Sequence, residues 1–351
     1  MRIFRRLAVR KELIMQELPT RMCHASTLLR LNDGTILCSW FGGSREGAAD
    51  VGIWLARRSS SGWQKPLLLA SGTAAHWNPV LALIDTRIML FYKVGAHIKS
   101  WLTWVIESCD NGSSWSQPRQ LVDGDTSGGR GPVRNKLLQL PNGRLLAGGS
   151  TEQGIWQAFV DTSEDGGRSW QKSQPIMITG LHSSGERTVA RDKTAIPVSE
   201  QSFYGRGVIQ PALWSSDSGT IHMLLRSTEG SLYRSDSEDS GQSWSSAYAI
   251  DFPNNNSGID LVLSKADGAL YLVCNPVADN WGQRSPLSLF SSADNGRSWV
   301  KLLDLDSGDG EFSYPAIIEA SGTLYITYTY QRQNIAFWQV PIDEVCRGVI
   351  V

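Results

Sequence analysis

The chain has 351 residues, of which 41% are hydrophobic and 19% are charged. This is the composition of an ordinary globular protein that can bury a large core. Lys and Arg total 33 against 34 for Asp and Glu, and the basic residues form no run or stripe. Nucleic acid and anionic membranes are therefore not expected as its main partners. The 34 Gly and 14 Trp residues favour an all-β protein with many tight turns.

The cysteines and the N-terminal segment bear on the cellular compartment. The segment 1–19 is basic but has no unbroken apolar stretch, so it does not read as a signal peptide, and no run of 18 apolar residues occurs along the chain. The five cysteines are scattered and include no C-x-x-C pair: Cys23, Cys38, Cys109, Cys274 and Cys346. These features predict a cytoplasmic protein with reduced thiols, without a disulfide framework or a zinc site.

A turn followed by an apolar strand, loosely of the type D-G-x-L, recurs along the chain at intervals of 52, 57, 76, 49 and 54 residues. This is the spacing of four-stranded propeller blades. The sequence therefore predicts an all-β fold, a six-bladed β-propeller that forms a single domain over residues 1–351. The turns lie around Gly34, Thr86, Gly143, Gly219, Gly268 and Gly322.

Two segments are expected to depart from this regular pattern. The long third interval is expected to hold a polar loop at 183–202. The segment 1–19 is expected to help close the ring beside the last blade, because an unpaired edge strand is a liability.

A second repeat, S-x-D-x-G-x-x-W, occurs four times, and a degenerate copy ends at Trp63. In such a string the Asp accepts backbone N–H groups of a turn, the Gly takes a positive φ and the Trp packs beneath. The four aspartates are therefore interpreted as hairpin corners that carry no chemistry. The copies run Ser108–Trp115, Ser163–Trp170, Ser237–Trp244 and Ser292–Trp299.

The first strand of each predicted blade begins with a polar residue where a buried strand would otherwise be apolar. A ring of polar side chains at one level predicts a ligand site, and a hydrated channel without function is the alternative. Counting back eight or nine positions from the turns, and ten in the first repeat, gives Asn78, Asn135, Gln210, Asp260, Tyr314 and His24.

Four segments resemble the sialidase (neuraminidase) superfamily, and specifically its predicted bacterial neuraminidase branch, whose Asp-boxes are the S-x-D-x-G-x-x-W strings. The resemblance covers about residues 20–340. The segments are HASTLLRLNDGTILCSWFGGSREGAADVGIWLARR, QPALWSSDSGTIHMLLRS, NPVADNWGQRSPLSLFSSADNGRSW and FSYPAIIEASGTLYITYT.

This resemblance implies a role for each matching position. Asp50 would be the general acid and base, and Tyr314 the nucleophile. Arg226 and Arg284 would be two members of a three-arginine clamp on the substrate carboxylate, which a guanidinium fork binds with two parallel hydrogen bonds. A neutral tyrosine suits attack on a carbon that already bears a carboxylate.

Two positions depart from the family pattern. His24 replaces the first clamp arginine, and Gln210 replaces the glutamate that activates the tyrosine. Glutamine cannot take the proton of a phenol whose ordinary pKa is about 10. Asp260, Glu311 and Glu152 are candidates to substitute for that glutamate. Further candidates for an acidic-sugar pocket are Arg45, Glu46, Lys136 and Arg332, beside Asn78, Asn135 and Asp260 of the polar ring.

Three functions remain open at this point. The leading one is a sialidase-like, retaining exo-glycoside hydrolase that removes a terminal acidic sugar. The second is a polysaccharide lyase on a uronate, with Tyr314 or His24 taking the proton next to the carboxylate. The third is a non-catalytic carbohydrate-binding propeller. The histidines show no metal-ligand spacing and no phosphate loop is present, so no metal or other cofactor is expected.

Overall fold

The structure, a computed structural model, describes residues 9–152, 154–181 and 205–348. The predicted polar loop at 183–202 lies outside these residues. Within them, regular structure is almost entirely β-strand; a short 3₁₀ turn spans Ile98–Ser100 and a helix, α1, spans Ile342–Cys346. No helix in the described ranges has the length and apolar character needed to cross a bilayer. The chain is all-β, as its composition predicts.

The described strands form five hydrogen-bonded sheets, and we divide the eight-stranded sheet at its one parallel pairing, which gives six antiparallel units numbered along the chain. After β1 (Arg10–Leu13), units 1 and 2 are β2 (Met22–Arg30), β3 (Ile36–Gly43), β4 (Gly52–Ser59), β5 (Gly62–Trp63) and β6 (Leu67–Ala70), then β7 (His76–Ile84), β8 (Arg87–Val94), β9 (Leu102–Ser108) and β10 (Arg119–Gln120). Units 3 and 4 are β11 (Leu138–Gln139), β12 (Leu145–Thr151), β13 (Ile155–Ser163) and β14 (Gln171–Lys172), then β15 (Arg206–Ser215), β16 (Ile221–Ser227), β17 (Ser231–Ser237) and β18 (Tyr248–Pro253). Units 5 and 6 are β19 (Asp260–Leu263), β20 (Leu270–Cys274), β21 (Leu287–Ser292) and β22 (Val300–Asp306), then β23 (Phe312–Ala320), β24 (Thr323–Tyr330) and β25 (Asn334–Pro341).

The predicted D-G-x-L turns join the first strand of each unit to the second, which confirms that part of the sequence analysis. Gly143 has φ +87° and Gly268 has φ +74°, a conformation in which a side chain would be strained. In unit 2, where Thr86 takes the place of Gly, the preceding Asp85 adopts the positive φ of 56°. Aspartate tolerates this region better than most residues, so the turn survives without glycine.

The Asp-boxes join the third strand to the fourth in units 2 to 5, and their predicted structural role is confirmed. In unit 4, Asp239 Oδ1 accepts hydrogen bonds from the backbone N–H groups of Gln242 at 3.0 Å and Ser243 at 2.9 Å. Gly241 has φ +85°, and its carbonyl accepts the indole N–H of Trp244 at 3.2 Å. The same backbone bonds surround the aspartates of the other three boxes. These hairpins lie at the end of the units opposite to the start of each first strand.

Apolar side chains pack between neighbouring units, so the middle strands are buried on both faces. All eight residues of β3 are buried, and Trp40, Trp156 and Trp214 are at most 1% exposed. Units 3 and 4 are also joined by a short parallel pairing of β13 with β15.

The first and last units are in contact as well. Ser26 of β2 donates a hydrogen bond to Thr327 of β24 at 3.0 Å. Strand β1 pairs antiparallel with β25, with Arg10 opposite Gln339, so the fourth strand of unit 6 comes from the N-terminal segment. The two ends of the described chain therefore complete one sheet.

Candidate active site

The first strands of four units share an irregularity near their starting end. Each contains one extra residue relative to its partner strand, which is a β-bulge. A bulge turns a side chain away from the regular alternation of the strand, and non-glycine residues at positive φ are uncommon enough to indicate a functional constraint. The residues at positive φ are Ala25 (54°), Asn78 (43°), Gln210 (56°) and Tyr314 (54°).

The β-bulges change which residues of the different units stand at equivalent positions in the predicted polar ring. In three of the units the next residue is proline, which has no N–H to donate. In unit 1 the equivalent position is Ala25, so His24 lies one residue before the ring position that the sequence assigned to it. In unit 5 the positive φ falls on Asn256 (60°), four residues before the predicted Asp260.

Tyr314 lies among cationic side chains. The guanidinium carbons of Arg134 and Arg284 are each 5.3 Å from the centre of its ring, and that of Arg226 is 5.6 Å away. Cations over an aromatic face are attracted by its quadrupole. The ring centre of His24 is 4.1 Å from that of Tyr314. The structure thus brings together four residues that lie far apart in the sequence, around one phenol.

Arg226 connects Tyr314 to Gln210. Its Nη1 donates hydrogen bonds to the phenolic oxygen of Tyr314 at 2.7 Å and to Gln210 Oε1 at 3.1 Å. Its Nε donates to Asn256 Oδ1 at 2.9 Å. Arg226 is 3% exposed and Gln210 is 4% exposed, so these bonds replace the water that both side chains lose. The predicted neighbours Arg226, Gln210 and Tyr314 therefore form one hydrogen-bonded group.

A second group of charges is built on Glu311. Its carboxylate accepts hydrogen bonds from Arg284 Nη1 at 2.8 Å and from Arg332 Nε at 2.9 Å. Burial alone would raise the pKa of Glu311, but Arg332 and Arg284 hold it well below its usual range. Arg332 also donates to Glu46, which lies in the loop between β3 and β4. Glu311 is thus an ionised carboxylate that fixes two arginines in place.

His24 is neutral in this environment. It is 1% exposed, and its Nδ1 lies 2.9 Å from Thr329 Oγ1. Burial, reinforced by the charge of Arg332, holds the pKa of His24 well below its usual range. A neutral imidazole cannot form an ion pair with a carboxylate but can still donate a hydrogen bond to one, so the substrate-binding role of His24 stays a prediction. The cationic side chains near Tyr314 that could form an ion pair with an anion are the arginines.

Two neighbours of Tyr314 and Arg226 were missed by the sequence analysis. Arg134 is buried, and its guanidinium donates to the backbone carbonyls of Ser26 and Pro315. Burial lowers the pKa of Arg134 to about 10. Its only signal was a position next to Asn135, which the sequence assigned to the ring. Asn256 stands in an uncharged polar run and offered no signal.

Asn135 and Asp260 have structural partners. Asn135 Nδ2 donates to the backbone carbonyl of Gln210 at 3.0 Å. Lys136 Nζ lies 2.8 Å from both carboxylate oxygens of Asp260, and Asp260 Oδ2 also accepts the backbone N–H of Ile317 at 2.9 Å. Asp260 therefore joins units 3, 5 and 6, and its contacts do not favour the predicted substrate-binding role.

Asp50 and its loop lie apart from these contacts. The Asp50 carboxylate is exposed and accepts hydrogen bonds from the backbone N–H of Ser44 at 3.0 Å and from the Ser44 hydroxyl at 2.9 Å. Asp50 therefore stabilises the loop that contains Glu46, which accepts a hydrogen bond from Arg332. Arg45 is exposed, and Asn78 is buried at the bulge of β7. Within the described ranges, Asp50, Arg45 and Asn78 form no hydrogen bond or ring contact with Tyr314, and their site roles stay predictions.

The site carries an excess of positive charge. Arg284 and Arg332 are paired with Glu311, and Arg332 also with Glu46, whereas Arg134 and Arg226 form no ion pair with a carboxylate of the described residues. Among the described residues, the Nη2 atoms of Arg226 and Arg284 have no hydrogen-bond acceptor. An anion with two oxygens in one plane matches such donors. No group of three potential metal ligands occurs in the described parts of the chain.

Comparison with known proteins identifies the family. Residues 34–326 match the family described as BNR repeat-like domain. The chain belongs to this family. No curated protein matches the sequence. The match to this BNR-repeat family, together with the Asp-box hairpins, confirms the resemblance seen in the sequence.

Solved structures of this fold include several sialidases. A Dyadobacter fermentans protein of unknown function has a TM-score of 0.73 and 13% identity, over 95% of this chain and 99% of that one. A Hadza microbial sialidase has a TM-score of 0.72 and 16% identity, over 92% of this chain and 66% of that one. The intramolecular trans-sialidase of Ruminococcus gnavus has a TM-score of 0.69 and 12% identity, over 95% of this chain and 98% of that one. At these identities the likeness establishes the fold alone.

Proposed function

We propose that the six units are the blades of one six-bladed propeller spanning residues 1–351, and that the protein is a sialidase-like exo-glycoside hydrolase. Its substrate would be a glycan that ends in an acidic sugar. The observation that carries the proposal is the uncompensated positive charge around Tyr314, with Arg226 donating to the phenolic oxygen at 2.7 Å. The R. gnavus neighbour, described in complex with oseltamivir carboxylate, shares this fold.

In this proposal the arginines select the substrate. Arg226 and Arg284 would bind its carboxylate through their Nη2 atoms, and Arg332 would add to the local positive potential. Glu311 would hold Arg284 and Arg332 in place, because it accepts a hydrogen bond from each. Donors fixed before the ligand arrives lose little conformational entropy on binding.

Tyr314 would act as the nucleophile on the anomeric carbon. Its positive φ of 54° and the following proline direct the phenol away from the strand's regular alternation. The hydrogen bond from Arg226 would stabilise negative charge on the phenolic oxygen as the reaction proceeds. Gln210 would keep Arg226 oriented without neutralising it, because an amide oxygen accepts a hydrogen bond but carries no charge.

A lyase acting on a uronate is the second candidate, and one observation favours it. His24 is buried and neutral, and its ring centre lies 4.1 Å from that of Tyr314. A neutral imidazole or a phenol beside several arginines could remove the proton next to a carboxylate that those arginines polarise. A carbohydrate-binding propeller without catalysis remains the third candidate.

Product analysis separates these functions. The protein is incubated with sialyl oligosaccharides and, separately, with uronate-containing polysaccharides. A hydrolase releases a saturated acidic monosaccharide, whereas a lyase leaves an unsaturated sugar that absorbs in the near ultraviolet. Binding of either glycan without any product would identify a binding protein. Absence of both binding and product, with Arg284→Ala behaving like the parent, would contradict the proposal.

A further inference from the structure

A second group of polar side chains lies at the Asp-box end of unit 4, away from Tyr314. His222 stands on β16, three residues after the turn at Gly219, and is 5% exposed. The strand pairing puts it directly opposite Asp236 of β17. Unit 4 departs from the repeat here, because the equivalent positions of the other units hold apolar or aromatic side chains: Leu37, Met89, Leu146, Tyr271 and Tyr325.

His222 connects Asp236 to Ser216. Its Nδ1 lies 2.5 Å from Asp236 Oδ1, and its Nε2 lies 3.1 Å from the hydroxyl oxygen of Ser216. The Ser216 hydroxyl has a second acceptor at 3.1 Å, the backbone carbonyl of Thr220, and lies 2.8 Å from the hydroxyl of Ser218. A serine, a histidine and a carboxylate linked in this order are the arrangement that makes a serine nucleophilic, and it recurs on unrelated folds.

Asn295, on the Asp-box turn of unit 5, fixes the tautomer of His222. The indole N–H of Trp214 can only donate, and it donates to Asn295 Oδ1 at 2.7 Å. The amide nitrogen of Asn295 is therefore the atom that lies 3.1 Å from His222 Nε2, and Nε2 accepts its hydrogen bond. The proton of the imidazole is then on Nδ1, where Asp236 accepts it. Nε2 keeps a lone pair beside Ser216, as a general base requires.

Asp236 is held as a carboxylate by several donors. Besides His222, Tyr248 donates its hydroxyl to Oδ2 at 2.6 Å, and Arg234 Nε donates to Oδ1 at 2.9 Å. Burial alone would raise the pKa of Asp236, but the hydrogen bonds from these three residues hold it well below its usual range. Arg234 Nη2 also lies 2.8 Å from His222 Nδ1. The ionised Asp236 therefore lies where it offsets both the charge of Arg234 and a positive charge that develops on the imidazole.

The serine, the histidine and the carboxylate all line one cavity of about 1100 Å³ between units 4 and 5. Ser216 is partly exposed, so a substrate in the cavity can reach its hydroxyl. The wall combines polar groups, such as those of Thr220 and Lys265, with aliphatic side chains. Such a wall suits a short acyl chain esterified to a polar alcohol. The larger aliphatic side chains are Ile250, Leu263 and Leu270.

We propose that Ser216, His222 and Asp236 form a second catalytic site, which hydrolyses carboxylic esters of short acyl groups. Ser216 is the nucleophile, His222 the general base and Asp236 the carboxylate that positions it. Asn295 Nδ2, which contacts the imidazole, donates to the oxyanion. The inference goes beyond the proposed glycoside hydrolase and does not depend on it, because Tyr314 lies at the other end of the units.

The proposed reaction needs no reagent besides the ester and water. Ser216 Oγ bonds to the acyl carbon as its proton passes to His222 Nε2, and an electron pair of the carbonyl bond moves onto its oxygen. When that pair returns, the alcohol oxygen leaves with the pair of the broken bond and takes the proton from His222. A water oxygen then bonds to the acyl carbon and gives a proton to Nε2. The carboxylic acid leaves as Ser216 Oγ recovers that proton.

A serine-directed fluorophosphonate tests the nucleophile without knowledge of the natural substrate. Incubated with the full chain, it should phosphonylate Ser216, and peptide mass spectrometry locates the adduct. Ser216→Ala should lack this adduct. Ser264→Ala is the matched control, because Ser264 opens the equivalent turn of unit 5, where Tyr271 takes the place of the histidine. This variant should be labelled like the parent, and absence of an adduct at Ser216 in the parent would overturn the proposal.

Hydrolysis of 4-nitrophenyl acetate then tests the carboxylate and the serine together. Ser216→Ala should lower kcat by at least about a hundredfold. Asp236→Asn keeps the shape of the side chain, but its amide can donate to Nδ1 and so favour the wrong tautomer of His222. Its kcat should also fall by at least about a hundredfold with KM nearly unchanged, and thermal denaturation shows that each variant is folded. Parent-like kcat in either folded variant would contradict the second catalytic site.

Discussion

The Nη1 atom of Arg226 lies 2.7 Å from the phenolic oxygen of Tyr314, although 88 residues separate them in the sequence. The same nitrogen donates to Gln210, so the arginine has two acceptors from the bulged strands of two different units. This contact places a cation where charge would develop on a nucleophilic tyrosine. The predictions below test what each group around it does.

Replacing Tyr314 by Phe should abolish most turnover without unfolding the protein. The change removes one hydroxyl, which accepts a hydrogen bond from Arg226, and keeps the ring beneath the arginines. We expect kcat on an acidic aryl glycoside to fall by at least about a hundredfold. Tyr330→Phe, on the neighbouring strand β24, is the matched control and should retain full activity. Undiminished turnover in Tyr314→Phe would show that the phenol is not the nucleophile.

Arg284→Ala should weaken binding of an acidic sugar while leaving Tm nearly unchanged. Loss of a charge-assisted contact typically costs roughly 1.5–3 kcal/mol, which is about a tenfold loss or more in affinity. Stability should hold because Glu311 keeps its hydrogen bond from Arg332. Calorimetry and thermal denaturation measure the two effects, and Arg297→Ala at an exposed Asp-box position is the control.

Arg226→Ala should lose affinity in the same way but should also lower Tm. Its guanidinium satisfies Gln210 and Asn256, both buried, and these would be left without their donor. A buried polar group without a partner costs about 1–3 kcal/mol. Normal acid binding by both alanine variants would remove the basis for a carboxylate clamp.

Gln210→Glu should lower affinity for acidic ligands. A carboxylate at this position would neutralise Arg226, to which the amide oxygen now bonds at 3.1 Å. Gln210→Met is the matched comparison, since it removes the amide and adds no charge. Titration with N-acetylneuraminate measures the effect. If sialoside turnover rises instead, the site lacks only the carboxylate of an ordinary sialidase.

The Asp-box aspartates should contribute to stability against acid. Hydrogen bonds, first of all that from the Ser243 side chain, lower the pKa of Asp239 to about 2. Because the pKa is lower in the folded chain, this contribution is present above the ordinary aspartate pKa and disappears as the pH falls through about 2. Asp239→Asn should therefore be less stable than the parent at neutral pH, with the gap closing toward pH 2. Urea unfolding across this pH range measures it, and a constant gap would contradict the prediction.

Local sequence patterns carried most of the information about the fold. The positive-φ turn at Gly143 and the hairpin around Asp239 could be predicted because the residue types at these positions are typical of such turns. The register of the strands at the site was harder to predict from the sequence. A β-bulge adds one residue to a strand, and the spacing of the repeats does not reveal that extra residue. For that reason His24 was placed on the ring where Ala25 stands.

Among the charged residues around Tyr314, Arg134 was not predicted from the sequence. The guanidinium of Arg134 lies over the ring of Tyr314 and donates to a backbone carbonyl. A contact with the backbone does not depend on the partner's residue type, so it cannot be recognised in the sequence. Burial raises the pKa of Glu152 to about 7, and only the folded chain reveals such burial. Tyr314, Arg226 and Gln210 were found because each stands in a segment that resembles the sialidase superfamily.

The pairing of β1 with β25 has a consequence for biosynthesis. Arg10 is opposite Gln339, so the last sheet joins residues from the first and the last parts of the chain. During translation β1 has no partner until Asn334–Pro341 has left the ribosome, and contacts of such long sequence separation form slowly. Until then the edge of the first-made segment is open to other nascent chains. Deleting residues 9–15 should accordingly reduce soluble yield in cells more than it reduces the stability of the protein that is recovered.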